Sequence, residues 1–322
     1  MLKNEKTYIN GALENFLCKR NEAAFRRAKM INAEKQQTKN IRMKVKFESR
    51  FAVGPNEVKA MSTEQLRKNF LIENIFQEDT VNLVQTFYDR FIAGGIMPVN
   101  ETIQLPDIPE LKAAYFLERR ELGIINVGGK GKIVADKKTF SLNYKDALYL
   151  GQGTQNISFI SEDKNAPALF YINSAPAHHS FDSKLVTKQD AAIVTLGSQE
   201  TANSRTINKF IVANVLSICQ LQMGLTELHS GSIWNTMPAH THDRRMEVYF
   251  YFEIPEGNSV CHFMGDPQET RHIWVQNNQA VIVPNWSIHS GAGTANYSFI
   301  WGMAGENLDY DDMDKVSIPA LK

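Results

Sequence analysis

From about residue 80 to its end the chain is punctuated into short apolar runs, at 81–87, 123–127, 147–150, 168–172, 220–225, 247–252, 280–283 and 297–301. Each is closed by Gly, Pro, Asn or Asp, and their β-branched and aromatic residues suit pleated, half-buried strands. Residues 62–76 read differently. Ser62-Thr63-Glu64-Gln65 is a capping box, and the stretch after it predicts one helix. Many short strands with few helices bury their apolar faces by packing sheet on sheet. The expectation is a mainly β protein made of double-sheeted, jelly-roll barrels with few short helices. At 322 residues, 43% of them hydrophobic, the chain is long enough for two.

The runs also repeat. Glu118-Arg119-Arg120-Glu121-Leu122-Gly123-Ile124-Ile125 resembles Asp243-Arg244-Arg245-Met246-Glu247-Val248-Tyr249-Phe250, and further on Ala147-Leu148-Tyr149-Leu150 resembles Ala280-Val281-Ile282-Val283. Two such matches in the same order predict two related barrels, at 43–198 and 199–322, joined by the polar stretch 182–209. Residues 1–42 stand apart, with ten Lys or Arg against four Glu, whereas the rest of the chain has 25 basic and 31 acidic residues. They are expected to be a polar, basic, disordered extension, with at most a helix around 23–37, dispensable for folding and activity.

Charge and cysteine content exclude several classes. The 35 basic residues balance 35 acidic ones, so no bulk field draws the chain to nucleic acid. Cys18, Cys219 and Cys261 are odd in number and lack metal-type spacing, which favours a reducing, cytoplasmic setting over a disulfide framework. No run approaches the ~18 apolar residues of a membrane helix, and residues 1–6 lead into no secretory core.

Six of the eight histidines fall between 229 and 289. Among them is His240-Thr241-His242-Asp243-Arg244-Arg245-Met246-Glu247, followed by Asn285-Trp286-Ser287-Ile288-His289. On a strand a His-x-His pair puts both imidazoles on one face. Glu247 has the opposite parity, so the polar Asp243-Arg244-Arg245 must turn or bulge the chain to bring it round. Three imidazoles and a carboxylate suit Zn²⁺, and equally Fe²⁺, Mn²⁺ or Ni²⁺. His229, His262 and His272 are expected to be surface or packing residues. In the first repeat the positions of His240, His242, Glu247 and His289 hold Tyr115, Leu117, Leu122 and Asn156, so that barrel should be metal-free.

His-x-His-x4-Glu with a later His is similar to the metal motif of the cupins. The strings Phe116–Gly123, Arg205-Thr206-Ile207-Asn208-Lys209, Trp234-Asn235-Thr236-Met237-Pro238 and Asn285-Trp286-Ser287-Ile288-His289-Ser290-Gly291 resemble one bicupin family, the 5-keto-4-deoxyuronate isomerases, or 4-deoxy-L-threo-5-hexosulose-uronate ketol-isomerases. The resemblance spans about residues 43–322. It implies an aldose–ketose isomerisation in pectin and uronate breakdown, from 5-dehydro-4-deoxy-D-glucuronate to 3-deoxy-D-glycero-2,5-hexodiulosonate. It also implies one zinc per subunit on His240, His242, Glu247 and His289, and a homohexamer.

Such an isomerisation needs a base and a grip on the substrate carboxylate. Glu247, Glu227, Tyr249 and Tyr251 are candidates for the base; Arg205, Lys209, Arg244 and Arg245 are candidates for the carboxylate. Arg119-Arg120 matches Arg244-Arg245 in the metal-free repeat, which points to a structural role for the pair. Two other readings compete, a metal-dependent cupin dioxygenase and a non-catalytic sugar-binding bicupin.

Overall fold

The computed structural model describes residues 44–322; the expected extension 1–42, with its helix at 23–37, lies outside the described residues. The apolar runs pair into two seven-stranded sheets, each with a four-stranded companion. The first large sheet runs Lys44–Arg50, Thr80–Thr86, Ile92–Ile96, Phe170–Pro176, Arg120–Asn126, Ala147–Leu150, Lys184–Val186. The second runs Ala192–Leu196, Arg205–Ile211, Gln222–Leu228, Ser298–Gly305, Arg245–Phe252, Gln279–Val283, Leu71–Ile72. The repeat read from the sequence is a repeat of structure. Arg120–Asn126 and Arg245–Phe252 hold the same place in their sheets, and Leu122 pairs with Leu150 as Glu247 pairs with Val283. The small sheets agree too. Ile157–Ser161 and Ser290–Gly293 each stand second in theirs, directly after Asn156 and His289. The fold is mainly β with few helices, as expected for cupin-like barrels.

Two sequence expectations need correction. The helix covers Thr63–Phe70 rather than 62–76. Its capping box forms, with Gln65 N–H donating to Ser62 Oγ (3.3 Å) and Ser62 N–H to Gln65 Oε1 (2.8 Å). It ends because Leu71 and Ile72 turn extended and pair with Val281 and Ala280, burying both side chains at the edge of the second large sheet. Burial there outweighs the continuing helical pattern. The stretch 182–209 is not a plain connection either. It carries the strands Lys184–Val186 and Ala192–Leu196 and the start of Arg205–Ile211. Ala192–Leu196 is an edge strand whose sequence is apolar although Ile193, Val194 and Leu196 are exposed, so the run belongs to the second large sheet and not to a polar connection.

Sheet membership crosses residue 198. Ala192–Leu196 and Leu71–Ile72 both belong to the large sheet built mainly from the second half. Side chains tie the halves as well. The Tyr171 ring stacks on Phe250 at 4.3 Å, and the fully buried Glu121 accepts backbone N–H bonds from Cys219 (2.9 Å), Gln220 (2.7 Å) and Leu221 (2.7 Å). Among the described residues no helix is long and apolar enough to cross a membrane.

Candidate metal centre and its cavity

His240 sits on the short strand His240–Thr241, which pairs with Asp314–Lys315 near the end of the chain. Asp243 and Arg244 then form a turn before the long strand Arg245–Phe252 begins. That turn supplies the change of parity. Glu247 faces the two histidines although a continuous strand would have pointed it away. His289 arrives from the far side, just ahead of Ser290–Gly293.

One donor atom from each of His240, His242, Glu247 and His289 falls within 4.8 Å of the other three. His242 Nε2 lies 3.1 Å from His240 Nε2 and 2.7 Å from Glu247 Oε1, and His289 Nε2 lies 3.7 Å from the same carboxylate oxygen. All but His240 are buried. His242 Nδ1–H donates to the Asp312 carbonyl at 2.5 Å, which turns its Nε2 towards the other three donors. Both ring nitrogens of His289 are buried without a hydrogen-bond partner among the described residues. Burial pushes the His240 imidazole down to about 4 and that of His289 well below its ordinary value, so both are neutral near pH 7. Burial alone would raise Glu247, but the facing imidazoles of His289, His242 and His240 hold it at about 2. Two neutral imidazoles, a third anchored through its Nδ1 and an ionised carboxylate, their donor atoms converging, form a donor set that fits a divalent transition metal.

The cluster forms part of the wall of a cavity of about 500 Å³, the size of a small-molecule site. Arg205 and Lys209, on one face of Arg205–Ile211, line it, as do Thr236, Tyr249, Phe299 and Trp301. Lys209 Nζ lies 3.5 Å from the centre of the Tyr310 ring. Burial lowers the pKa of both Arg205 and Lys209.

The other sequence candidates divide by strand face and by depth. Tyr249 reaches the cavity, its hydroxyl 3.1 Å from Thr236 Oγ1. Tyr251, two residues deeper, shares a 2.7 Å hydrogen bond with the buried His262 Nδ1 and does not line the cavity. Glu227 follows the cavity-lining Thr226 and points the other way, where Lys145 (2.8 Å) and Lys188 (2.7 Å) bind it. Arg244 is exposed and pairs with Glu306 at 3.0 Å. Arg245 lines the cavity, yet its guanidinium bonds to backbone carbonyls. His229 sits between the hydroxyls of Ser204 and Thr206, and His272 is exposed; neither joins the cluster.

A family model described as KduI/IolB matches residues 72–318. The chain belongs to the KduI/IolB family. Two members of known name are the 4-deoxy-L-threo-5-hexosulose-uronate ketol-isomerases of Formosa agariphila and Bacteroides fragilis, 58% and 54% identical over 280 residues; each match covers 87% of this chain and 100% of the relative. Among solved structures, an IolB-like protein from Salmonella typhimurium superposes with a TM-score of 0.57 at 19% identity, over 70% of this chain and 86% of that one, which supports the fold.

This KduI/IolB chain also has cavity residues that sequence reasoning missed. Tyr310, Asp311, Met313 and Lys315 come from a C-terminal stretch with almost no regular structure. No periodicity marks such a segment. The only available signal was its aromatic and charged content after the last apolar run.

Proposed function

We propose that this chain is a 4-deoxy-L-threo-5-hexosulose-uronate ketol-isomerase, interconverting 5-dehydro-4-deoxy-D-glucuronate and 3-deoxy-D-glycero-2,5-hexodiulosonate in uronate breakdown. The observation that carries the reading is the three-histidine, one-glutamate cluster in the wall of a cavity that also holds unpaired cationic side chains, in a chain more than half identical to relatives of that name. His240, His242, Glu247 and His289 are the ligands of one zinc per subunit, and the active form is a cytoplasmic homohexamer. The half at 43–198 serves as a metal-free scaffold for the catalytic half at 199–322. When bound, zinc supplies positive charge beside the oxyanion that develops as a proton moves between C1 and C2.

The chain's own groups account for the remainder. Arg205 and Lys209 attract the substrate carboxylate; in the described structure neither has a carboxylate within ion-pair distance. Trp301, Phe299 and Tyr310 present apolar surface that keeps water from the carbon skeleton. The Tyr249 phenol is raised well above 10 by burial and by the Glu247 carboxylate, so it keeps its proton and serves as a donor to a developing oxyanion. Glu247, held at about 2, is a ligand rather than the base.

Purified full-length protein should convert the 4-deoxy-5-keto-uronate, lose turnover on chelation and regain it with Zn²⁺. Absence of turnover by a zinc-loaded, folded protein would refute the assignment.

A further inference from the structure

Arg245 is only 1% exposed, and its guanidinium donates from Nη1 to the Asp309 carbonyl (2.6 Å) and from Nη2 to those of Tyr310 (2.9 Å) and Asp312 (3.1 Å). The Asp312 oxygen is the same atom that accepts from His242 Nδ1. One carbonyl therefore joins a buried cation to a cluster histidine. Residues 306–313 have no ladder of their own to fix that carbonyl. Within the stretch Asn307 adds two side-chain ties, its Nδ2–H donating to Asp312 Oδ2 at 2.5 Å and its Oδ1 accepting from Asp309 N–H at 3.1 Å.

The duplicated half supplies a control. Arg120 stands where Arg245 does and is also buried, but it binds the Ser174 hydroxyl and the carbonyls of Ser174 and Arg90. No histidine lies beyond them. A buried arginine at this position is thus common to both halves, and its extension to a cluster histidine belongs to the second alone.

We infer that Arg245 is a positioning residue of the metal cluster: by fixing the 309–312 backbone it holds the Asp312 carbonyl against His242 Nδ1, and so keeps the Nε2 lone pair aimed among the other three donors. The inference rests on the cluster being a metal site. It extends to substrate, because Tyr310, Asp311 and Met313 on the same stretch form cavity wall. Partners of this kind, one bond removed from the metal, typically set affinity by about 10–100-fold.

The test titrates metal-stripped, full-length protein with Co²⁺ against a competing chelator. A ¹⁵N imidazole correlation spectrum reads which nitrogen of His242 carries the proton. In Arg245→Met the affinity for Co²⁺ should fall by about 10–100-fold and the Nδ1–H signature of His242 should weaken. Arg245→Lys, which keeps the charge but reaches fewer carbonyls, should fall between that variant and the parent. Should Arg245→Met fail to fold, Asn307→Ala decides, since it releases the same stretch from a less buried position; weaker Co²⁺ binding supports the inference. Unchanged affinity with an unchanged His242 tautomer in the folded variants overturns it while leaving the metal reading intact. A parent protein that binds no Co²⁺ overturns both.

Discussion

Two roles are open to a carboxylate placed as Glu247 is, metal ligand and proton acceptor. Its position against three imidazoles keeps it ionised far below neutral pH, and a carboxylate that weakly basic accepts a substrate proton poorly. Glu247→Gln is nearly isosteric and cannot take a proton. It should bind metal less tightly, yet at saturating Zn²⁺ it should keep turnover within about tenfold of the parent, because the general-base contribution it lacks was never made there. Turnover reduced by about 10²–10⁴ with metal demonstrably bound would make Glu247 the base instead. The histidine pair was legible in sequence because strand alternation dictates that residues two apart share a face. The facing of Glu227 was not, nor the depth of Tyr251, which shares the face of Tyr249 but lies beyond the cavity. Which side of a strand meets the cavity depends on how neighbouring strands pair, and the residue types alone carry no trace of it.

At the scale of elements, the turn at 143–146, which carries the chain from the four-stranded sheet to Ala147–Leu150 in the large one, reaches from the first half into the second. Lys145, buried with a positive φ of 67°, places its ammonium 2.8 Å from Glu227 and 2.7 Å from Glu253. Burial raises both carboxyls, but Lys145 leads the charges and hydrogen bonds that bring each to a net lowered pKa. The sign follows. Carboxyls that titrate lower when folded than when unfolded stabilise the protein above the unfolded value of about 4.3, and that contribution fades as pH falls through their folded pKa. Lys145→Met should therefore cost about 1–3 kcal/mol at pH 7, and the gap in stability from the parent should close towards pH 3. Denaturant melts at the two pH values measure it; a gap that persists in acid would mean that packing, not charge, is what Lys145 provides. Glu227→Gln should lose stability while keeping its turnover, which separates this tie from catalysis. Elements with a period were legible, and most of the apolar runs became strands within a few residues. The Leu71–Ile72 strand and the 306–313 stretch were not, since both take their conformation from tertiary partners rather than from local pattern.

At the scale of the whole molecule, one barrel plan is used twice and equipped once. The strand orders of the two large sheets correspond, buried arginines stand at Arg120 and Arg245, and a fully buried carboxylate at Glu121 pins the 219–221 loop of the second half. Among the described residues the four-donor group lies in the second copy. Leu122 and Leu117 fill the places of Glu247 and His242 with buried hydrocarbon, and Asn156, where His289 would be, is exposed beside Asp136. Among the described residues a single four-donor group exists. One metal per chain is therefore the expected stoichiometry, and it should depend wholly on that group. Elemental analysis of dialysed protein should give a metal-to-chain ratio near one. The His240→Ala, His242→Ala double variant, with its fold checked by circular dichroism, should retain no metal. A ratio near two, or metal retained by the folded double variant, would locate a second set of ligands outside the duplicated barrels and break the link between the missing donors of the first half and a scaffold role.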